Sequence, residues 1–310
     1  MPIVKEANGT TCRITFAKGD GSTATQLLLI PKHSRYTQQA KDTIGVGDDA
    51  AHDFSAKVEC FNGLPILVER PMYFNYKGMW TGGSDAVGAT APNSTFYFAE
   101  GSSRPGFEPY FCIQNTTSTD SPTKITYMKG DSTTDSQTIT VPANSRATVA
   151  VKDKLGEADD AAHDFSAKVE SLNDTPLVVE RPMYFNYKGM WDGGHDAVGA
   201  NYAATTFRFA EGTCRPGFDA YITMLNPGTR DAAIKITYMR GDGKSTRQDM
   251  MIPANARATV HPADVLGTGD DNAHDFSAIV ECTNGQTIIA ERPMYFNFQG
   301  WTGGSCAVGY

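Results

Sequence analysis

Three short acidic clusters, each with a histidine, hold the side chains of this chain that are best suited to bind a metal ion. The first reads Asp48-Asp49-Ala-Ala-His52-Asp53, and it returns twice further along the chain. Ca²⁺ takes several carboxylate oxygens from one short loop. The candidate ligands are Asp48, Asp49, Asp53, Asp159, Asp160, Asp164, Asp270, Asp271 and Asp275. The spacing is not that of an EF-hand, so the competing interpretation is a solvated loop whose aspartate caps the next strand. Calcium is the only cofactor that the sequence suggests.

A serine-based catalytic site is the other chemistry that these clusters could offer. Serine, histidine and aspartate all occur in His52-Asp53-Phe54-Ser55, but neighbouring residues of a strand point to opposite faces of a sheet. The chain also has no GxSxG nucleophile motif, no GxGxxG motif and no phosphate-binding loop. The sequence therefore predicts a protein without enzymatic activity and without catalytic residues.

A Glu-Arg-Pro motif places one arginine of each copy in a strand rich in apolar residues. These arginines are Arg70, Arg181 and Arg292. A half-buried guanidinium needs a carboxylate or an aromatic face as its partner. The adjacent Glu69 points away from Arg70, because side chains alternate along a strand. We therefore expect a structural ion pair or a cation–π contact with some other residue.

Aromatic residues follow each of these arginines. Amphipathic rings near a turn could form a platform on which sugars stack, or they could cover the joint between successive domains. Because the rings recur in every copy, both interpretations stay open, and we prefer the joint. The candidate ligand-binding residues are Tyr73, Tyr76, Trp80, Tyr184, Tyr187, Trp191, Tyr295 and Trp301, with Phe74, Phe185, Phe296 and Phe298 beside them.

These motifs belong to a unit that the chain repeats three times. The stretch from Glu69 to Trp80 returns unchanged as Glu180 to Trp191, and a variant of it ends at Trp301. The histidines of the acidic clusters are spaced 111 residues apart. A fixed period of this length indicates tandem domains. We predict repeats at residues 1–93, 94–204 and 205–310.

Each repeat has the pattern of an all-β domain. In the second repeat, segments of alternating apolar and polar residues are separated by turn residues every 8 to 12 positions, as in a β-sandwich. Seven or eight strands of immunoglobulin-like type are predicted, with one helical turn between Lys152 and Asp160. The first repeat lacks the counterparts of the first two strands, which leaves an open sheet edge. Either the chain is cut from a longer array, or a neighbouring chain supplies the strands and builds a head-to-tail assembly.

Composition narrows the classes of partner. The net charge of −8 disfavours nucleic acids and anionic membranes, and no apolar run approaches the ~18 residues of a membrane span. The first eight residues lack the apolar core of a signal peptide, so we expect that export information was removed or that the chain is a fragment. Six cysteines without a CxxC pair allow 15 pairings, and the sequence does not choose among them.

The combined motifs resemble a tandem repeat of large secreted and cell-surface proteins of bacteria. They are Phe-Ala-Glu-Gly (98–101, 209–212), Arg-Pro-Gly-Phe (104–107, 215–218), Val/Ile-Pro-Ala-Asn (141–144, 252–255) and Val-Glu-Arg-Pro-Met-Tyr-Phe (68–74, 179–185). The resemblance implies an extracellular, non-enzymatic, multi-domain context. We therefore expect a structural protein that polymerises with copies of itself by strand complementation. The alternative is a cell-surface adhesin whose aromatic patches bind glycans.

Overall fold

Antiparallel β-sheets make up nearly all of this protein. The computed structural model describes residues 9–310, so residues 1–8 of the first predicted repeat lie outside the described part. Strands hold 57% of the residues and helices 6%, which confirms the prediction of an all-β sandwich fold. No helix within residues 9–310 is long and apolar enough to cross a membrane.

The first repeat contains five strands in the described residues. Three of them form a sheet in the order β2-β1-β3, and the other two form the hairpin β4-β5. The elements are β1 (Gly9–Lys18), β2 (Thr23–Pro31), α1 (Lys41–Ile44), β3 (Phe54–Cys60), β4 (Glu69–Tyr76) and β5 (Trp80–Val87).

The second repeat forms a complete sandwich of eight strands. Its two sheets have the orders β6-β11-β8-β9 and β10-β7-β12-β13. The alternation in Lys124-Ile-Thr-Tyr buries Ile125 and Tyr127 against Phe111 and Phe165 between the sheets, as period-2 patterning predicts. The elements are β6 (Thr95–Phe98), β7 (Phe107–Asn115), β8 (Ser121–Lys129), β9 (Thr134–Val141), β10 (Ser145–Ala150), α2 (Lys152–Leu155), the 3₁₀ turn Ala161–His163, β11 (Phe165–Ser171), β12 (Leu177–Tyr187) and β13 (Trp191–Val198). The predicted helical turn is confirmed by α2.

The third repeat has the same architecture. Its sheets have the orders β14-β20-β17-β18 and β15-β21-β16-β19, and β22 pairs with β21. The elements are β14 (Thr206–Phe209), β15 (Phe218–Ala220), β16 (Ile222–Asn226), β17 (Ala232–Arg240), β18 (Ser245–Ile252), β19 (Ala256–Val260), α3 (Ala263–Leu266), the 3₁₀ turn Asn272–His274, β20 (Phe276–Cys282), β21 (Ile289–Phe298) and β22 (Trp301–Val308).

A tight hairpin ends each repeat, and its second strand was not predicted from the sequence. In the second repeat the hairpin joins β12 to β13 through Lys188, Gly189 and Met190, and the first two of these have positive φ values of 53° and 71°. Such φ values are typical of short hairpin turns, and glycine adopts them without strain. Pro182 does not end β12, which pairs with β13 without a break from Glu180 to Tyr187. Pairing between β12 and β7 is interrupted between Val179 and Met183.

Candidate functional site at the joints between repeats

The last strands of the three repeats, β5, β13 and β22, stack face to face and create two joints. Glycines permit this close approach. A Cβ atom added to Gly82 would lie 3.2 Å from the Cα of Gly193, and one added to Gly193 would lie 3.0 Å from the Cα of Gly303. The first joint therefore lies between β5 and β13, and the second between β13 and β22.

Stacked tyrosines form the same contact at both joints. The ring of Tyr76 lies 4.1 Å from that of Tyr184, with 2° between the planes. The ring of Tyr187 lies 4.1 Å from that of Tyr295, with 4° between the planes. In both joints the first tyrosine belongs to the earlier repeat and the second to the later one. The direction of the contact is thus conserved from one joint to the next.

Each tyrosine of the earlier repeat also hydrogen-bonds to the repeat that follows it. The hydroxyl of Tyr76 lies 2.6 Å from that of Tyr110, and the hydroxyl of Tyr187 lies 2.7 Å from that of Tyr221. In the second joint, Tyr187 additionally donates a hydrogen bond to Asp219. These bonds fix the rotation of one repeat relative to the next.

Asp219 contacts polar side chains from both sides of the second joint. Its carboxylate lies 2.5 Å from the Nζ of Lys188 and 2.7 Å from the Nε2 of His261. Burial alone raises the pKa of Asp219, but the hydrogen bonds from Lys188 and Tyr187 outweigh this effect and hold the pKa below its usual range. Asp219 is therefore ionised and links the two repeats electrostatically.

The arginines of the first two Glu-Arg-Pro motifs pair with the next repeat. Arg70 donates to Glu180 at 2.7 Å and also to Asp196. Arg181 donates to Glu291 at 3.0 Å, and both side chains are fully buried. Two of the three predicted structural arginines thus lie within the joints, and their partners are the glutamates of the following motif.

Glu291 has further donors in the second repeat. The backbone N–H of Ala99 donates to it at 2.9 Å, and that of Glu100 at 3.3 Å. Arg181 also donates to the backbone carbonyl of Glu100. A buried carboxylate is tolerated only when hydrogen bonds satisfy its oxygens, and these contacts provide them.

The third arginine lies outside the two joints. Arg292 pairs with Glu211 of its own repeat, with 3.0 Å between the guanidinium and the carboxylate. Glu211 occupies the position that Glu100 holds in the second repeat, yet its side chain is 63% exposed. The third repeat thus presents to solvent the surface that the second repeat presents to the third.

Two buried carboxyl groups at the joints bind protons more tightly than usual. Burial raises the pKa of Glu100 to about 7, although Arg257 and Arg181 oppose the shift. Burial and the neighbouring Glu180 raise the pKa of Asp196 to about 7, against the pull of Arg70. His195 is buried beside Phe185, and burial lowers its pKa well below the usual value, so its imidazole is neutral.

The raised pKa of Glu100 predicts a specific pH dependence of stability. A carboxyl whose folded-state pKa lies above its unfolded value contributes stability below the unfolded pKa of about 4.5 and loses that contribution as the pH rises through about 7. Glu100→Gln should therefore reduce the loss of stability between about pH 5 and about pH 8. Urea unfolding midpoints across this range measure the effect. Glu211→Gln, at the equivalent exposed position, is the matched control. A slope unchanged by Glu100→Gln would contradict the assignment.

The aspartates of the acidic clusters form hydrogen bonds and ion pairs with other groups of the protein. Asp160 accepts hydrogen bonds from the backbone N–H of Ala162 and from His163 Nδ1, while Asp159 and Asp164 hold Arg104 at 2.7 Å. In the third repeat Asp271 contacts His274 in the same way, and Asp270 and Asp275 hold Arg215. In the first repeat Asp49 contacts His52, and Asp48 and Asp53 are exposed.

These contacts bear on the calcium hypothesis. Across residues 9–310 no group of three or more His, Cys, Asp or Glu side chains is placed to hold a metal ion. The pairing of Arg104 and Arg215 with the aspartates was not predicted from the sequence. The signal that could have found them is the Arg-Pro-Gly-Phe motif, which occurs in the same two repeats. Calcium binding stays a prediction.

The aromatic candidates fall into two groups. Tyr76, Tyr184, Tyr187 and Tyr295 lie in the joints, where Trp80 and Trp191 pack beside the tyrosines of the earlier repeats at 5.9 and 5.8 Å. Tyr73 and Trp301 are instead exposed, by 87% and 78%. The exposed members lie in the first and third repeats, at positions equivalent to joint residues of the second.

Comparison with known proteins adds weak similarities. No protein-family model matches the chain, and no curated protein matches it. Among solved structures, the Thermotoga maritima protein 1070 is 18% identical, with a TM-score of 0.31, and the match covers 35% of this chain and 94% of that one. The Anabaena sensory rhodopsin transducer is 19% identical, with a TM-score of 0.25 and coverage of 29% and 96%. Similarities of this size carry no argument about function.

Proposed function

We propose that this protein is a non-enzymatic, extracellular structural repeat protein that assembles head to tail. The observation that supports the proposal is the recurrence of one joint, with the same tyrosine stack and the same arginine–glutamate pair. The contact is heterologous, because one face of a repeat always meets a different face of the next. Heterologous contacts that do not close into a ring generate open filaments.

The outer faces of the first and third repeats carry complementary halves of this joint. The first repeat exposes Glu69, Tyr73 and Asp85, which are equivalent to the residues that receive an arginine and a tyrosine inside the protein. The third repeat exposes Phe298 and Trp301 at its last hairpin, and its buried Arg292 lies on the same strand as Phe298 and holds the exposed Glu211. By equivalence, Phe298 would stack on Tyr73 of a second copy, and Arg292 would meet its Glu69.

An apolar surface extends the outer face of the third repeat. Met239 is 39% exposed, whereas the equivalent Met128 is buried against Leu225 and Ile289 of the next repeat. An open groove of about 650 Å³ runs between Met239, Phe218 and Phe298. A second copy of the first repeat's outer face would cover this groove with apolar contacts of the kind that drive association.

Strand complementation is a second route to the same assembly. In the part of the chain that is described, β3 and β4 each have one edge without a neighbouring strand, whereas the equivalent β11 and β12 are paired there with β6 and β7. Unpaired edges accept strands from other chains. The two routes differ in the residues they need, because strand addition uses backbone groups of β3 and β4 and does not require Phe298 or Trp301.

Face-blocking variants test the proposal. Glu69→Arg with Tyr73→Ala blocks the outer face of the first repeat, and Phe298→Ser with Trp301→Ser blocks that of the third. We expect the unmodified protein to form linear oligomers that lengthen with concentration in analytical ultracentrifugation and negative-stain microscopy. Each double variant should remain monomeric, and an equal mixture of the two should form dimers through the one intact pair of faces.

The control and the opposing outcomes are distinct. Lys244→Glu changes the charge of an exposed turn and should leave oligomer formation intact. A protein that stays monomeric at every concentration would contradict the assembly. Oligomers that persist in both face-blocked variants would favour strand complementation over face docking.

Glycan binding is the alternative function. The exposure of Tyr73 and Trp301 supports it, because a ring that faces solvent is free to stack on a sugar. Specific signals on a glycan array that disappear in Tyr73→Ala or Trp301→Ser, while the protein remains monomeric, would favour an adhesin. The absence of glycan signals together with filaments would favour the structural role.

A further inference from the structure

Two cysteines of the first repeat face each other across neighbouring strands. Cys12 of β1 and Cys60 of β3 are direct partners in the antiparallel register. Their Sγ atoms lie 2.7 Å apart. Cys12 is fully buried, and Cys60 is partly exposed at the end of its strand.

The backbone at this position suits a cross-link between the two strands. The N–H of Phe61 donates to the carbonyl of Thr11, so this neighbouring pair is hydrogen-bonded. Antiparallel strands alternate hydrogen-bonded with non-hydrogen-bonded pairs, which places Cys12 and Cys60 in a non-hydrogen-bonded pair. Such pairs have Cα atoms about 4.5 Å apart, within the range of about 4.4–6.8 Å that disulfides span.

We propose that Cys12 and Cys60 form a disulfide that links β1 to β3. A small-molecule disulfide such as oxidised glutathione serves as the oxidant. The thiolate of the more accessible Cys60 attacks one sulfur of the oxidant and releases one thiol. The thiolate of Cys12 then attacks the Sγ of Cys60 in the mixed disulfide and releases the second thiol. The protein loses two protons and two electrons, and the oxidant becomes two thiols.

The other four cysteines lack a comparable partner. Cys112 lies 3.3 Å from Arg146, Cys282 contacts Asn284 and Cys306 contacts Glu291. Cys214 is buried in the core of the third repeat. All six cysteines belong to the described residues, and only Cys12 and Cys60 bring their sulfur atoms into contact. Of the pairings that the sequence allows, the structure therefore singles out this one.

The cross-link would strengthen the repeat with the smallest described sheets. Its three-stranded sheet has β1 in the centre and β3 at an edge. A disulfide between Cys12 and Cys60 would close the chain from residue 12 to residue 60 into a loop. Such a loop restricts the unfolded chain more than the folded one and so favours folding. This inference does not depend on the proposed assembly, because neither cysteine lies in a joint.

The other repeats provide a matched test of the register. Thr123 and Ser171 are the equivalent partners in the second repeat, and Ile234 and Cys282 are those in the third. Ile234→Cys should therefore create a second cross-link, to Cys282, if the position itself favours a disulfide. This variant serves as a positive control for the pair in the first repeat.

Peptide mass spectrometry tests the disulfide directly. The full chain is equilibrated with reduced and oxidised glutathione, alkylated, digested with trypsin and analysed without reduction. We expect the peptides that contain Cys12 and Cys60 to be joined, with the loss of two hydrogen atoms, and to separate after dithiothreitol. Titration of the unfolded protein should find two fewer thiols before reduction than after it. In Cys60→Ser, Cys12 should be alkylated.

A stability measurement gives an independent readout. Dithiothreitol should lower the thermal unfolding midpoint of the unmodified protein but not that of the variant Cys12→Ser/Cys60→Ser. Alkylation of both cysteines after equilibration, or pairing of either with another cysteine, would overturn the proposal. Formation of the Ile234→Cys cross-link without one between Cys12 and Cys60 would overturn it equally.

Discussion

Replacement of Arg181 by methionine should lower the free energy of unfolding by about 3–5 kcal/mol, the typical cost of breaking a buried ion pair by removing one partner. Arg181 and Glu291 are fully buried, and the substitution leaves the Glu291 carboxylate without its countercharge. Methionine fills most of the volume of the arginine side chain, so the substitution leaves little cavity. The decrease in the free energy of unfolding therefore reflects mainly the loss of the positive charge. Urea unfolding followed by circular dichroism measures the effect.

The first joint provides the matched control for this substitution. The side chain of Arg70 is 36% exposed and that of Glu180 is 21% exposed, so water can solvate the Glu180 carboxylate that is left behind. The other partner, Asp196, is buried, and its raised pKa of about 7 lets it become neutral by binding a proton. Arg70→Met should therefore cost clearly less than Arg181→Met. Adding Glu291→Leu to Arg181→Met should recover part of the loss, because the Glu291 carboxylate is then no longer buried without its countercharge. Equal losses for the two arginine variants would show that burial does not set the cost.

Addition of one methyl group at Gly193 should also destabilise the protein, by about 1–3 kcal/mol or more, because overpacking strains a close-packed contact. A Cβ at this position would lie 2.8 Å from the Cζ of Phe185 and 3.0 Å from the Cα of Gly303. The backbone of the next repeat at Gly303 cannot move aside without opening the joint. The unfolding midpoint of Gly193→Ala and the maximum dimension from X-ray scattering measure the two consequences.

Gly88→Ala is the control for this effect. The nearest atom to a Cβ at Gly88 is the carbonyl oxygen of Val68 at 3.5 Å, an ordinary van der Waals distance. This variant should remain near the stability of the unmodified protein. If Gly193→Ala were equally stable and had unchanged dimensions, the close approach of β13 and β22 would not hold the repeats together.

The sequence pattern predicted those strands whose alternating apolar side chains pack within one repeat. The alternation of β11, with Phe165, Ala167 and Val169 on one face, places those residues in the core, because that face packs against the partner sheet. The segment Trp191 to Val198 was not predicted as a strand, since its two glycines are poor strand formers. Its pairing with β12 and its packing against two other repeats override that local preference.

The local sequence pattern does not identify the partners of the arginines. The sequence indicates that Arg181 needs a carboxylate or a ring, and the structure supplies Glu291 from the following repeat. A repeated motif offers a candidate glutamate in every copy, and spacing alone does not say which copy faces which. The carboxylates around Arg104 and Arg215 escaped prediction for a similar reason, because their pairing depends on how loops fold back onto the sandwich.

The same motif supplies both the arginine and the glutamate of the ion pairs between repeats. This arrangement affects how such chains can change in length. Every copy carries an arginine for its successor and a glutamate for its predecessor. Duplication or deletion of a whole repeat therefore leaves each new junction with a matched pair, and no second substitution is needed. A substitution of either residue, in contrast, removes an ion pair with the adjoining repeat. The ion pairs therefore set no limit on the number of repeats, but they constrain both charged residues of the motif.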